Sequence, residues 1–416
     1  MNRNIYLDYA ATTPLRPEAR KAMQPFWGEA WGNPSSAHAL GAEAQVAIES
    51  ARGAVSTLIG AHPEEIVFTS GGTESINLAI QGVALARGDA GELITSSIEH
   101  PATLEVARFL QSCGWRAIYL PVDSQGIVDP DDVRKAITSE TVLVSVMHAN
   151  NEVGTIQPVA EIGRIARERG VLFHVDAVQT AGKLQISVDQ LGLDLLSISG
   201  HKIGGPKGVG ALYVRRGTAI APLIRGGGQQ WGLRSGTENV PGIVGLGAAA
   251  GAAGKGIDVE RSRLSELCDR LVDGLLYSID GVRLNGHTSM RLPGFAHFCF
   301  EGLDGHWLVK ELSREGIYAA TGSACSSGRS EPSHVLVAMG VPENLARGAL
   351  RLTLGWATTA DEIRHAITMI PQVVERLRAR ASSGVDLSEE YARDCDSARN
   401  RAVAGFFSRL LRRANR

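Results

Sequence analysis

Between residues 60 and 215 the chain alternates short runs of Val, Ile and Leu with longer amphipathic segments, a pattern that few folds can satisfy. Strands are predicted over 65–69, 92–96, 117–121, 142–147, 171–176, 193–199 and 209–214, and helices between them over 74–87, 101–113, 129–137 and 159–169. Strands that read as continuous apolar runs are buried on both faces, so the expected architecture is α/β, with a mainly parallel seven-stranded sheet covered by helices. Ligands in such sheets bind beyond the carboxyl ends of the strands. A small-residue run at 240–256 gives way to an amphipathic helix near 260–279, and further strands and helices follow over 282–377. With 416 residues the chain is long enough for a second, smaller α/β domain, with a boundary near 255–260.

The bulk numbers exclude more than they assign. A net charge of −2 with 21% charged residues points to neither nucleic acid nor membrane. No apolar run approaches a bilayer span, and the first residues lack the apolar stretch of a secretory signal. The five cysteines (113, 268, 299, 325 and 395) are odd in number, scattered and without metal-ligand spacing. That usage fits a reducing, cytoplasmic setting and predicts neither a disulfide frame nor a bound metal. In the tail, Val403, Phe406, Phe407, Leu410 and Leu411 follow helical spacing among arginines. Docking a partner or membrane surface and packing on its own domain are both open for this basic amphipathic segment.

Polar residues cluster where the strands are predicted to end. Asp176 closes one apolar run and Lys202 lies just past another. Burying an ammonium is costly unless a partner or chemistry uses it, so the pair reads either as a structural ion pair or as the pyridinium partner and Schiff-base lysine of a pyridoxal phosphate site. Ser70-Gly71-Gly72-Thr73-Glu74 follows a strand and opens a helix, which offers backbone N–H groups and a hydroxyl to an anion. It lacks the lysine of a P-loop. His100, just after a strand, could stack on a ring or carry protons, or simply cap a helix. Asn150, Asn151, Glu152 and Gln179 are further polar groups near strand ends. Cys325 sits among small residues, which predicts an exposed, mobile loop suited to a travelling thiolate. Arg351 interrupts an apolar strand and is either structurally paired or a carboxylate receptor.

Taken together these segments resemble the cysteine desulfurases, a branch of the fold-type-I pyridoxal-phosphate enzymes related to class V aminotransferases. The resemblance rests on Tyr6 to Pro14, Gly32-Asn33-Pro34-Ser35-Ser36, Phe68 to Ser75, His148 to Gly154, His174 to Gln179, Ser199-Gly200-His201-Lys202, Arg234 to Val240, and Gly322-Ser323-Ala324-Cys325 followed by Glu331 to Leu336. These motifs occur in family order and span about residues 4–375, leaving the tail uncovered.

The resemblance implies a Schiff base on Lys202, the pyridinium partner at Asp176, Gln179 on the phenolic oxygen and His100 stacked on the ring and carrying protons. It implies phosphate contacts from Gly72, Thr73, Ser199 and His201, with Thr237 reaching over from a second subunit of a homodimer, and Asn151 among the cofactor contacts. Asn33, Asn151 and Arg351 would fix the substrate carboxylate, and Cys325 would accept sulfur from L-cysteine as a persulfide, leaving L-alanine. It further implies a large domain at 15–257, a small domain formed by 1–14 with 258–384, a tail at 385–416, and a sulfur-acceptor protein serving iron–sulfur cluster assembly or other thiolation. Selenocysteine lyase and aminotransferase activities are the sister readings, and Cys325 argues against the aminotransferase. Gln230-Trp231 and Trp356 depart from a Glu-Arg pair and an Arg common in relatives, and Gly72 replaces a frequent Ala. The first two departures are expected to alter the active-site rim or a partner surface.

Overall fold

The computed structural model describes residues 4–322 and 332–382. After a first short strand, β1 (Ile5–Tyr6), come β2 (Ile66–Thr69), β3 (Glu92–Ser96), β4 (Arg116–Leu120), β5 (Thr141–Met147), β6 (Leu172–Asp176), β7 (Leu195–Ser199) and β8 (Gly210–Val214). Among the described residues, β2 to β8 form a seven-stranded sheet in the order β2-β8-β7-β6-β5-β3-β4. Strands β7, β6, β5, β3 and β4 are mutually parallel, and β8 is antiparallel to its neighbours β7 and β2. The expected mainly parallel sheet is present, and the predicted strands match the observed ones to within two residues at their starts. The largest offset is at β7, which starts at Leu195; the preceding Asp194 lies alongside Phe173, its N donating to Phe173 O and its carboxylate accepting from Phe173 N, each at 2.9 Å.

Alternate residues of these strands enter two different cores, as the two-residue period requires. Phe68, Ile94, Val144, Phe173 and Ile198 pack with residues of α2 (Ala39–Ile59), which follows α1 (Pro17–Met23). Val67, Leu93, Leu143, Leu195 and Leu212 pack instead with α3 (Gly72–Arg87) and α4 (Pro101–Ser112). The first core also takes in residues of α5 (Pro130–Ala136), α6 (Val159–Arg169) and α7 (Val240–Gly254). The small-residue run at 240–256 is thus largely a helix. Its composition follows from packing: a Cβ on Gly247 would lie 2.5 Å from the Ala51 backbone of α2.

A bend leads into α8 (Ile257–Ser278), then β9 (Val282–Asn285), β10 (Phe295–Phe300), α9 (Gly305–Arg314), β11 (Ile317–Tyr318), α10 (His334–Ala338), α11 (Glu343–Ala346), β12 (Ala349–Thr353) and α12 (Ala360–Ser382). Strands β12-β10-β9 form an antiparallel sheet, and β1 pairs in parallel with β11. A further core gathers Phe298, Leu308, Leu350 and Ile370, and it buries Ile5 and Leu7 from the N-terminal segment. Among the described residues no single helix is long and apolar enough to cross a membrane; α7 and α8 pass that test only as a pair bent by 74°.

Candidate active site

The parallel strands deliver their last residues to one edge of the sheet. Asp176 ends β6, and Lys202 follows β7 in a single 3-10 turn, Gly200–Lys202. Strand β2, antiparallel to β8, runs the same way as β7 and turns directly into α3. That turn needs glycine: Gly71 has φ 155° and ψ −176°, a backbone region closed to side chains. The first N–H groups of α3 therefore open onto the same edge. A cavity of about 200 Å³ lies there, lined by Gly72, Thr73, His100, Asn151, Asp176, Gln179, Ser199, His201, Lys202 and Arg351, together with Ala10, Ala11, Ile76, Met147, Ala149 and Val178.

Several polar groups in this wall are anchored by the backbone. Lys202 Nζ donates to the carbonyls of Ala10 and of Ala11, the latter at 2.9 Å. Asp176 Oδ1 accepts from Val178 N at 2.9 Å, and among the described residues no cation stands at ion-pair distance from its carboxylate. Burial pushes Asp176 up to about 6, against the pull of the Val178 N–H and the Lys202 charge. His100 caps α4, its Nδ1 accepting from Ala102 N at 3.1 Å. Burial, with Lys202 and His334 nearby, pushes His100 down to about 4, so the ring is neutral near pH 7 and its proton sits on Nε2. His201 is likewise held near 4 by burial and by Lys202 and Lys207, and its Nδ1 lies 3.0 Å from Thr12 Oγ1. Gln179 Nε2 donates to Ala10 O at 3.0 Å.

Arg351 enters from β12 and is 1% exposed. Its Nη2 pairs with Asp8 at 2.7 Å and its Nη1 donates to Asn151 O at 3.0 Å, while Nε is buried with no hydrogen-bond partner among the described residues. Of the two sequence alternatives for Arg351 the structural pairing is observed, and the residue also lines the cavity.

Two predicted site residues are not brought to the cavity. Asn33 is exposed, its Oδ1 accepting from Ser35 N at 2.9 Å, and Thr237 is also exposed. Asn150 is spent locally, its Oδ1 accepting from Glu152 N and Val153 N. Cys325 and its loop lie outside the described residues, as do the tail and Cys395. Glu152 touches both flanks of that segment: its Oε2 accepts from Ser333 Oγ at 2.5 Å and sits against Gly322.

Residues 5–365 match the aminotransferase class-V family. The cysteine desulfurase IscS of Dictyoglomus turgidum is 52% identical over 379 residues, covering 91% of this chain and 96% of that protein. This chain belongs to the cysteine desulfurases. A solved NifS-like protein has a TM-score of 0.85 at 41% identity, over 90% of this chain and 100% of its own. A structure described as SspA in complex with cysteine has a TM-score of 0.75 at 39% identity, over 84% of this chain and 98% of its own.

Within this desulfurase the positions named above as departures from the family pattern have these surroundings. Gln230 Oε1 accepts from Phe68 N at 3.0 Å and from Arg52 Nη1 at 3.1 Å, and Trp231 stacks 4.4 Å from the same guanidinium. Neither residue lines the cavity, so Gln230-Trp231 braces β2 against α2 rather than shaping the described active-site wall. Trp356 stacks 5.4 Å from Arg16. Sequence reasoning passed over Asp8 and Lys183 as individual site residues. Asp8 lay in a quoted motif but is far from Arg351 in sequence; Lys183 follows Gln179 by one helical turn, a spacing that could have exposed it.

Proposed function

We propose that this cysteine desulfurase uses pyridoxal 5′-phosphate to convert L-cysteine to L-alanine, with the sulfur taken as a persulfide on Cys325. The observation that carries the reading is the convergence of an amine, a buried carboxylate and a helix N-terminus in one cavity. The donor set fits the cofactor. Lys202 would hold it covalently, and Asp176, destabilised as an anion by burial, would gain a cationic partner in the pyridinium nitrogen. Gly72 and Thr73 at the head of α3, with Ser199 and His201, would hold the phosphate. When bound, the pyridoxal ring supplies the electron sink for charge released at the substrate α-carbon.

The chain's own groups then divide the work. Arg351, whose Nε is the buried donor left over from its structural pairing, would receive the substrate carboxylate with Asn151. Lys202 would move the α-proton. His100, with Nδ1 engaged by the α4 backbone, would hold and deliver a proton only at Nε2. In the sulfur step the carbon–sulfur bond of cysteine breaks, a sulfur–sulfur bond to Cys325 forms and the β-carbon takes up a proton. L-cysteine and an enzyme thiol thus become L-alanine and an enzyme persulfide. Cys268 and Cys299 do not compete, because burial pushes their thiols up to about 12 and about 11.

In this reading a second copy brings Thr237 to the phosphate, so the homodimer is the working unit, and the persulfide passes to an iron–sulfur scaffold or a sulfur carrier in the cytoplasm. The chain divides into a large domain at 15–257 and a small domain of 1–14 with 258–384, a division supported by the burial of Ile5 and Leu7 in the later core. The test is stoichiometric. The protein given L-cysteine and a thiol reductant should yield alanine and sulfide in equal amounts, with neither from Lys202→Ala or Cys325→Ala. Full-rate sulfide release by Cys325→Ala would overturn the persulfide route.

A further inference from the structure

Lys183 is a half-buried cation beside the cavity for which the proposed chemistry has no task. It follows Gly182, at φ 71°, in a turn where Lys183 N donates to Thr180 O at 2.9 Å, and this brings it back over Gln179. Its Nζ donates to Gln179 Oε1 at 3.3 Å and lies 5.2 Å from the centre of the Phe295 ring. Gln179 is 4% exposed, and its Nε2 donates to Ala10 O, the carbonyl that Lys202 also uses. The two ends of a carboxamide have nearly the same shape, so partners alone decide which way it points. An ammonium can only donate and a carbonyl can only accept. Lys183 and Ala10 therefore select the same orientation, and one Nε2 hydrogen of Gln179 is left as a donor in the cavity that it lines.

We propose that Lys183 is a positioning residue that pins the Gln179 amide with its nitrogen available to the phenolic oxygen of bound pyridoxal phosphate. The inference rests on the cofactor reading above and goes beyond it by giving Gln179 a fixed polarity and naming what fixes it. Burial, with Lys202 and Arg351 close by, pushes Lys183 down to about 7, so the ammonium that can only donate to Gln179 Oε1 is the dominant form below that pH. A donor on the phenolic oxygen makes the neighbouring Schiff-base nitrogen harder to protonate. Loss of Lys183 should therefore make that nitrogen easier to protonate.

The experiment is a pH titration of the bound chromophore's visible absorbance in the holoenzyme, with thermal unfolding measured alongside. Lys183→Met should raise the titration midpoint by about half a unit or more, while Lys183→Arg, which can still donate, stays nearer the original value. In a Gln179→Ala background Lys183→Met should shift it no further. An unchanged midpoint in folded, cofactor-saturated Lys183→Met overturns the proposal, as does an equal shift in both backgrounds, which would mean that Lys183 acts by charge alone. If the Met variant does not fold, Lys183→Gln is read against the same expectations. A parent protein that binds pyridoxal phosphate without forming a chromophore would instead sink the cofactor reading, so the two failures are distinguishable.

Discussion

Asp176 and Arg351 face the same cavity from regions built on opposite logic. Asp176 stands at the end of a parallel strand, where its own turn holds it through the Val178 N–H, and among the described residues no cation stands at ion-pair distance from it. Arg351 lies inside an antiparallel strand and is matched on two sides, by Asp8 and by the Asn151 carbonyl. A charge at a strand end is held by local backbone and left for a ligand to complete. A charge inside a strand must be neutralised by the fold itself before it can serve a ligand. The first is an unfinished interaction, and the second is a finished one with a donor to spare.

That contrast predicts opposite stability effects from two changes that both damage activity. Arg351→Met leaves Asp8 without its cation and the Asn151 carbonyl without its donor, so the cofactor-free protein should lose about 3 kcal/mol. Asp176→Asn keeps an oxygen for the Val178 N–H and removes a carboxylate whose burial is unfavourable above about pH 6. Its cofactor-free form should melt at or above the parent temperature at pH 7, while alanine production falls by about a hundredfold or more. Thermal melts of the two cofactor-free variants decide the matter, and equal destabilisation would break the comparison.

The same division explains what could be read from the sequence. The alternating runs gave the main sheet, and Asp176, Lys202, His100 and Thr73 were legible as residues near the cavity because each ends or follows a strand or opens a helix within its own segment, whereas Ser199 came from the resemblance. The α3 start at Gly72 rather than residue 74 is a local matter of Gly71 geometry. The unread part is non-local. Asp8 meets Arg351 only because β1 and the residues after it pack on β11 and β12, 343 positions away for that pair. Lys183 becomes a site residue only through the carbonyl of Ala10, supplied by the same N-terminal segment. Asn33 and Thr237 match the family motif yet lie exposed in this chain.

Glu99 sharpens the comparison with a second uncompensated carboxyl on the strand-end side. It is 1% exposed, and Oε1 accepts from Ser96 Oγ at 2.6 Å and Met147 N at 2.9 Å, while Oε2 has no partner among the described residues. Burial pushes it up from 4.5 to about 8. Below pH 4.5 both folded and unfolded chains carry the proton and stability is unaffected. As pH rises from there to about 8 the unfolded chain ionises first, so this group's contribution to stability is lost across that window. Glu99→Gln should match the parent near pH 4 and exceed it by on the order of 2 kcal/mol at pH 8. Denaturant titrations at the two pH values measure this, and a difference of the same size at both would show that packing, not ionisation, separates the variants.

The smallest effect concerns how locally the strand-end region is held. A Cβ on Gly72 would lie 2.7 Å from Val178 Cγ2 and 3.4 Å from Ser199 Cβ. Val178 cannot withdraw freely, because its N–H is the donor that fixes Asp176. Gly72→Ala should therefore cost about 1 kcal/mol and disturb Asp176 as well as the phosphate turn. Since the obstruction is one neighbouring side chain, Val178→Ala should relieve it, and the double variant should recover most of the loss in a double-mutant cycle on thermal melts. Additive losses would mean that the turn, rather than Val178, excludes the methyl group. In that case the strand-end region would depend on its wider surroundings as Arg351 depends on Asp8, and the distinction between the two regions would fail where it is easiest to measure.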